Sequence, residues 1–311
     1  MEKLLLAFII VVSCNAYASQ PLYTYAQSPI HSNVLSLQLR DAKPQPVGSF
    51  ELKTGYTQAS IWAETGEYLF DYYQNNVDLA LSYQVNPIWK SEIALKRVTA
   101  KDNGLDELTK NFHDLFGIGH NGRDEVPQDQ FYLSIPNQNI EISDFEGETL
   151  TRAIYSYNEL SLYQSNPLSI SVGASFYYNN VDSGPFARTS FEQGIQLNAS
   201  YSANVHHLFS SFGLVHRNSD IPETVMSDTA GFISVGYEYN LLSNHSLLLE
   251  SHNYKGWATS NPSFSEPSNE VLVGYRYRYM NSTVEAFMTE NIRNMDNSTD
   301  IAFTIVFRML L

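Results

Sequence analysis

The most constraining feature of this chain is a repeated alternation of apolar side chains with polar or small ones, in segments of roughly ten residues. In Val271–Met280, valine and tyrosine occupy the odd positions, while Gly274, Arg276 and Arg278 are among the even positions. The final segment, Ile301–Leu311, repeats the pattern with isoleucine and phenylalanine. A period of two residues predicts β-strands with one apolar face and one polar face.

Twelve such segments follow one another, and their connections alternate between tight turns and longer polar loops. The predicted strands lie near residues 47–62, 66–85, 88–99, 150–163, 168–179, 191–202, 205–217, 230–241, 244–254, 269–280, 282–292 and 299–311. Short turns on one side and long loops on the other are typical of outer-membrane barrels. A β-sheet in lipid must close, because no water satisfies an open edge. We therefore predict an all-β fold, a single antiparallel transmembrane β-barrel of about 12 strands.

A soluble β-sandwich or a lipocalin-like barrel would show the same alternation. Arginine and glutamate fall on one face of the predicted strands and aromatic residues on the other, which favours the membrane barrel. Tyrosines near strand ends suit the aromatic girdles at the two membrane interfaces. They are Tyr56, Tyr178, Tyr201, Tyr239 and Tyr279.

Composition excludes several other classes of protein. Aromatic residues make up 13% of the 311 residues, too many for a disordered chain. The net charge of −15 argues against nucleic-acid binding. The longest apolar run, Leu4–Val12, is shorter than the 18 or so residues that a spanning helix needs.

The first residues have the organisation of an export signal. Lys3 precedes the apolar run, and Ala16–Ala18 forms a small-x-small cleavage site, so we expect a signal peptide over 1–18 and a bacterial outer-membrane location. The only cysteine, Cys14, lies in that segment and would be removed with it. A lipoprotein signal that retains Cys14 is the competing interpretation.

Residues 19–46 precede the first predicted strand, and we interpret them as a periplasmic or lumen segment. Val34–Arg40 alternates like a strand but would make the strand count odd. The barrel itself is expected to span 47–311, including a helix-bearing loop over 100–149 between strands 3 and 4. In that loop, apolar residues from Leu105 to Phe116 have helical spacing, so the insertion is either a lid or a plug.

One stretch of this loop resembles a family signature. Phe112-His113-Asp114 is followed by Asn121-Gly122-Arg123-Asp124 and Pro127, as in an uncharacterised Gram-negative outer-membrane β-barrel family classed as a domain of unknown function. Gln27–Pro29 and Asp300–Thr304 fit the same family, so the resemblance spans most of the chain. The resemblance implies an outer-membrane barrel and no established activity.

Charged side chains on the inward face are the main candidates for function. They could line a narrow polar channel or seal it with ion pairs, because buried charges need partners. The lumen and plug candidates are His113, Asp114, His120, Arg123, Asp124, Glu250, Arg276, Arg278, Glu285 and Arg308. The five in the loop could also form a metal or acid/base site, but they lack a recognised ligand spacing, so ion pairing and turn formation are favoured.

These features predict a plugged or gated channel for a small solute, with no cofactor and no catalytic residue. An outer-membrane lipid-modifying enzyme and a structural or adhesive barrel are the alternatives. For the enzyme, the available residues are His206, His207, His216, Ser210 and Ser211, without a nucleophile elbow. The expected partners are outer-membrane lipid, lipopolysaccharide and the barrel-assembly machinery, with the oligomeric state left open.

Overall fold

Twelve long antiparallel strands close into a barrel in the computed structural model. The structure describes residues 19–65, 67–105, 114, 129–219, 227–256, 258, 262–291, 293–294, 297 and 299–311. The barrel strands are β1 (Phe50–Glu64), β2 (Leu69–Asn86), β3 (Trp89–Ala100), β6 (Thr149–Ser165), β7 (Leu168–Val181), β8 (Arg188–Ala203), β9 (His206–Ser219), β10 (Thr229–Leu242), β11 (His245–Tyr254), β12 (Ser268–Tyr279), β13 (Ser282–Glu290) and β14 (Ile301–Leu310).

Closure comes from β1, which pairs with β14 on one side and with β2 on the other. Between these partners, each strand pairs with its neighbour in sequence, except that β3 pairs directly with β6. The predicted all-β barrel of 12 strands is confirmed. Every backbone group along a closed ladder finds a partner, which is the requirement that a hydrocarbon environment imposes.

The period-two pattern sorts side chains between the two faces as expected. In β12, Val273 is 53% exposed on the outer face, while Arg276 on the inner face is 2% exposed. The predicted girdle tyrosines, including Tyr178, Tyr201 and Tyr239, also lie on the outside. The outer wall is therefore apolar and aromatic, and the inner wall carries the charges.

The two ends of the barrel differ in their connections. At the short-turn end, two residues join β2 to β3, β6 to β7, β8 to β9, β10 to β11 and β12 to β13. At the long-loop end, the connections are longer: 48 residues separate Ala100 from Thr149, and the 13 residues between Tyr254 and Ser268 include the short helix Pro262–Ser265. Among the described residues, no helix is long and apolar enough to cross a membrane.

The insertion between β3 and β6 contributes a small hairpin, of strands β4 (Tyr132–Ile135) and β5 (Ile140–Ser143) joined by the 3₁₀ turn Pro136–Gln138. β4 extends the sheet by pairing with the first residues of β2, at the long-loop end. The helix predicted from Leu105 to Phe116 lies almost entirely outside the described residues. The part of the insertion that the structure describes between Asp129 and Glu148 is this hairpin rather than a helix.

Strand β6 departs in one detail from the prediction that arginine and glutamate share one face of the strands. Arg152 and Glu159 occupy positions of opposite parity in β6, and the alternation of exposed and buried residues between them is regular. Glu159 is buried inside, whereas Arg152 lies on the outer face and pairs with Asp182 at 2.9 Å. The register of β6 shifts nearer its ends, beside Val98 and between Ser161 and Tyr163. Charge alone therefore did not identify the inner face at Arg152.

Candidate functional site: a hairpin inside the barrel

The segment that precedes β1 fills the barrel interior as a hairpin, which we call the inner hairpin (residues 20–42). Its rising limb (20–28) starts at the short-turn end, where Gln20 and Pro21 accept hydrogen bonds from Arg308 of β14. Its tip (29–33) contains the 3₁₀ turn His31–Asn33 and reaches the long-loop end. The descending limb (34–42) returns to the short-turn end. Both ends of the inner hairpin are thus at the same mouth of the barrel.

The two limbs contact each other through side chains rather than through a strand ladder. The amide of Ala26 donates to Ser36 Oγ at 3.2 Å, and Gln38 Nε2 donates to the carbonyl of Thr24 at 2.7 Å. The limbs are extended but belong to no strand. Their main-chain groups must therefore find partners elsewhere, because unpaired buried backbone groups are costly.

The inner wall supplies acceptors for the amides of the hairpin. Four of these acceptors are glutamates on β8, β11, β12 and β13, and two are serines. The contacts are Leu22 to Glu250 (2.7 Å), Tyr23 to Glu285 (3.2 Å), Gln27 and Ser28 to Glu270 (2.7 and 2.8 Å), Leu35 to Glu192 (2.7 Å), Arg40 to Ser211 (3.2 Å) and Ala42 to Ser200 (2.9 Å).

The wall also supplies donors for the carbonyl groups of the hairpin. These donors are arginine, lysine and glutamine side chains that project inward from six strands. The contacts are Arg276 and Arg308 to Pro21 (3.1 and 2.6 Å), Gln74 to Gln27 (3.2 Å), Lys96 to Ser32 (2.7 Å), Arg188 to Asn33, Gln196 to Gln38 (3.1 Å) and Gln164 to Ala42 (3.0 Å). Wall side chains thus replace the ladder that the two limbs lack.

Leucine side chains of the inner hairpin fit against glycines of the wall. A Cβ atom at Gly236 would lie 2.6 Å from Leu39, and one at Gly194 would lie 2.8 Å from Leu37. Leu22 on the rising limb lies in the same way against Gly274. The missing side chains leave the space that these leucines fill, so the wall is shaped to its hairpin.

Ion pairs between adjacent strands and between strands two apart join the inward charges into networks. Arg276 lies between Glu238 (2.8 Å) and Glu285 (2.7 Å), and Glu285 also pairs with Arg308 at 2.7 Å. Arg278 contacts Glu238 as well. The structure therefore brings four of the predicted lumen residues together. Such pairing compensates the desolvation of buried charges.

The fifth predicted wall residue, Glu250, lies beside this network rather than within an ion pair to arginine. Its second oxygen contacts His252 Nε2 at 2.9 Å, while its first accepts the amide of Leu22. Glu250 therefore connects the wall to the rising limb.

Other charged contacts were not singled out from the sequence. Arg40 of the descending limb forms two hydrogen bonds to Glu92 and stacks on Tyr157, with its guanidinium carbon 4.2 Å from the ring centroid. Arg188 pairs with Glu192 at 2.9 Å. The same alternation that placed Glu250 inside would have identified Glu192, since Glu192, Gly194 and Gln196 share one face of β8.

An apolar cluster, the outer cap, closes the long-loop end above the hairpin tip. The rings of Tyr68 and Phe264 stack with centroids 3.8 Å apart, and the β4–β5 hairpin contributes Leu133 and Ile135. Val34, where the descending limb starts, is buried in the same cluster, and Ile30 of the tip packs against it. The tip therefore contacts an apolar lid, whereas both limbs contact a polar wall.

The short-turn end contains a small polar cavity between the limbs and the wall. Its volume is about 40 Å³, and its lining includes Arg40, Lys53 and Lys90. Since one water molecule needs roughly 10–15 Å³ measured in this way, the cavity has room for only a few waters. A solute larger than a few water molecules does not fit in this cavity.

Two titratable groups of the segment lie in non-strand positions near the mouths. Burial raises the pKa of Asp41 to about 6, against the opposing effects of hydrogen bonds from Lys43 and Ser200. Burial, together with the charge of Arg217, lowers the pKa of His31 to about 3. His31 is therefore neutral at physiological pH when it contacts the carbonyl of Lys255 at 3.1 Å.

Of the five predicted loop residues, the structure describes only Asp114. Asp114 is exposed, and His113, His120, Arg123 and Asp124 lie outside the described residues. Among the residues that the structure describes, no group of three or more His, Cys, Asp or Glu side chains could hold a metal ion.

The residues considered for an enzyme are divided between the two faces of β9. Ser211 is buried and accepts the amide of Arg40, whereas Ser210 and His216 lie on the outer face. His206 contacts Tyr237, and His207 contacts Ser202. The contacts of His206, His207 and Ser211 therefore go to other residues and do not assemble this set into one site.

Comparison with known proteins gives a family and a fold. A family model described as "Protein of unknown function (DUF3187)" matches residues 2–309. No curated protein matches the sequence significantly. The outer membrane channel COG4313 from Pseudomonas putida F1 superimposes with a TM-score of 0.54 at 10% identity, over 87% of this chain and 98% of that one.

Two porins are also similar in structure. The NanC porin aligns with a TM-score of 0.46 at 9% identity, over 84% of this chain and 98% of its own. The KdgM porin, solved with disordered oligogalacturonate, aligns with a TM-score of 0.45 at 9% identity, over 83% of this chain and 98% of its own.

Proposed function

We propose that this chain, which belongs to the DUF3187 family of proteins of unknown function, is an outer-membrane channel for small solutes that its own inner hairpin closes. The observation that carries the proposal is the nature of the contact between the inner hairpin and the wall. Carboxylates, arginines and amide side chains hold the limbs, and water can hydrogen-bond all of these groups once the limbs leave.

The path of the hairpin makes withdrawal simple. Both limbs end at the short-turn end, so the hairpin can leave through that mouth without threading a chain end through the barrel. The wall that remains is polar and supported by its own ion pairs, such as Arg276 with Glu238 and Glu285. An emptied lumen would therefore fill with water rather than collapse.

The lengths of the connections between strands indicate how the barrel is oriented in the outer membrane and what surrounds it. Short turns face the periplasm and long loops face the exterior in outer-membrane barrels, so the inner hairpin enters from the periplasm. A signal peptide over 1–18 would deliver the chain there, where the barrel-assembly machinery inserts it. The apolar outer wall then contacts outer-membrane lipid, with lipopolysaccharide around the long-loop end.

The insertion between β3 and β6 is the second closing element in this proposal. Its hairpin β4–β5 contributes to the outer cap, and the helix predicted from Leu105 to Phe116 would add to that cover. Withdrawal of the inner hairpin thus opens the channel, and displacement of the outer cap widens its long-loop end.

Conductance in planar lipid bilayers tests the proposal. The triple variant Leu35→Ser/Leu37→Ser/Leu39→Ser removes the apolar contacts of the descending limb without changing the wall. We expect it to conduct ions continuously, whereas the wild-type chain opens only rarely. Val47→Ser, in the same segment but 56% exposed, is the control that should leave conductance unchanged. A folded triple variant as silent as the wild type would favour a sealed structural barrel.

A further inference from the structure

We propose that the solute of this channel is an extended peptide, and that the inner hairpin occupies the peptide site as an internal ligand. This inference rests on the proposed function and names the chemistry of what passes. Its basis is that the wall binds the main chain of the hairpin, which every peptide shares.

The wall forms hydrogen bonds with both the amide groups and the carbonyl groups of the same limb. On the descending limb, Glu192 accepts the amide of Leu35 at 2.7 Å, and Gln196 donates to the carbonyl of Gln38 at 3.1 Å. Two residues further on, Ser211 accepts the amide of Arg40 at 3.2 Å. A glycan or a simple ion offers no such regular succession of N–H donors and C=O acceptors.

The wall also has places for alternate side chains. Leu37 and Leu39 point to the same side of the descending limb, where Gly194 and Gly236 leave space for them. Ser36 and Gln38, which alternate with these leucines along the chain, point toward the rising limb. Main-chain hydrogen bonds combined with pockets for every second side chain are the arrangement by which proteins bind extended peptides.

The backbone of any buried plug must be hydrogen-bonded. The decisive question is whether the partners lie within the plug itself or in the wall of the barrel. A plug that folded by itself would satisfy its backbone internally, as a helix or a paired strand does. Here the amides of Leu22, Tyr23, Leu35 and Arg40 each have a partner in the wall. The wall of the barrel therefore acts as a receptor for an extended chain.

Peptide binding to the folded triple variant Leu35→Ser/Leu37→Ser/Leu39→Ser tests this inference. The probe is a synthetic fluorescent heptapeptide with the sequence of residues 34–40, followed by fluorescence anisotropy in detergent. The matched control is the same peptide with N-methyl groups on the amides that correspond to Leu35 and Arg40. Because two buried hydrogen bonds are lost, we expect the control to bind at least about tenfold more weakly.

A second heptapeptide tests the generality of the site. It keeps leucine at the positions of Leu35, Leu37 and Leu39 and arginine at the position of Arg40, and it has alanine or serine elsewhere. We expect its affinity to be within about threefold of that of the first peptide, because the main-chain bonds, the leucine pockets and the ion pair with Glu92 are retained. Equal binding of the N-methylated control, or no saturable binding of either leucine peptide, would overturn the inference.

These experiments distinguish a failure of the proposed channel from a failure of the inference that its solute is a peptide. If the triple variant conducts but does not distinguish the N-methylated peptide, the peptide inference fails while the channel stands. If it binds peptide selectively but never conducts, the proposed channel fails while the binding site stands.

A variant that retains the hairpin leucines covers the case in which the triple variant does not fold. Ser36→Cys places a thiol on the buried face of the descending limb, in a chain with Cys14 replaced by serine. We expect the leucine peptides to accelerate maleimide labelling of this thiol several-fold, because they displace the limb. An unchanged labelling rate at saturating peptide would contradict the inference.

Discussion

At the scale of single residues, glycines in the wall determine how closely the inner hairpin fits. Gly194 and Gly236 lie where leucine methyl groups approach, whereas a Cβ atom at Gly55 would find its nearest neighbours at 3.7 Å. All three glycines face inward. Gly55 is therefore an inward-facing glycine without a close leucine contact, and it serves as the control for the other two.

Gly194→Ala should loosen the hairpin, because the new methyl group would lie 2.8 Å from Leu37 and 3.4 Å from Leu35. Overpacking of this kind costs about 1–3 kcal/mol, and the leucines can relieve it by moving away from the wall. We expect a higher open probability in planar bilayers for Gly194→Ala. Gly55→Ala should behave as the wild type, and equal opening of both variants would show that the leucine contacts do not hold the channel shut.

Asp41 makes the closed state dependent on pH. Its pKa is raised from 3.8 to about 6 with the hairpin in place, so the docked state favours the protonated carboxyl. The contribution of Asp41 to the stability of the docked hairpin is then greatest below the unshifted pKa of 3.8, and it is lost as pH rises through 6. We expect opening to increase between pH 5 and pH 7, and to lose this dependence in Asp41→Asn. The exposed Asp182→Asn is the control, and a pH response that survives in Asp41→Asn would contradict the assignment.

At the scale of elements, the alternation within each strand separates lipid contacts from lumen contacts. Val273 lies on the outer face in the middle of β12, and Tyr277 lies on the same face close to the short-turn end, beside His245. The cost of a charge in this wall therefore depends on its depth in the bilayer.

Val273→Arg should destabilise the folded barrel by about 2–4 kcal/mol, and Tyr277→Arg by only about 0–1 kcal/mol. Urea titration of folding into lipid vesicles measures both values. Equal costs at the two positions would mean that the membrane is centred elsewhere on β12, and no cost at Val273 would mean that this face is not in contact with lipid.

The insertion between β3 and β6 and the inner hairpin make different contributions to closure. Because residues 20–42 fill the lumen, replacement of 104–125 by a short Gly/Ser linker should leave a heat-modifiable barrel with conductance as low as that of the wild type. Combination with Leu35→Ser/Leu37→Ser/Leu39→Ser should give the largest conductance. High conductance after the linker replacement alone would identify the insertion as the principal gate.

At the scale of the whole molecule, the barrel was predictable because its signal is local. A period of two residues within one strand fixes both the strand and its faces, and the positions of Arg276, Arg278 and Glu285 followed from it. The inner hairpin gave no comparable signal. Val34–Arg40 alternates like a strand. Its alternation places leucine side chains against glycines of the wall, and the segment does not pair with a neighbouring strand. Contacts such as Leu35 with Glu192 join residues 157 positions apart, which no local pattern specifies.

The most direct test of closure by the inner hairpin is to attach the end of its rising limb, next to the tip, to the wall reversibly. Ser28 Oγ and Ser268 Oγ are 2.5 Å apart, close to the roughly 2.05 Å of a disulfide. In a Cys14→Ser, Gly194→Ala background, Ser28→Cys/Ser268→Cys should be silent in planar bilayers when oxidised and should open to the level of Gly194→Ala after reduction. Conductance that is the same in both redox states would contradict the account.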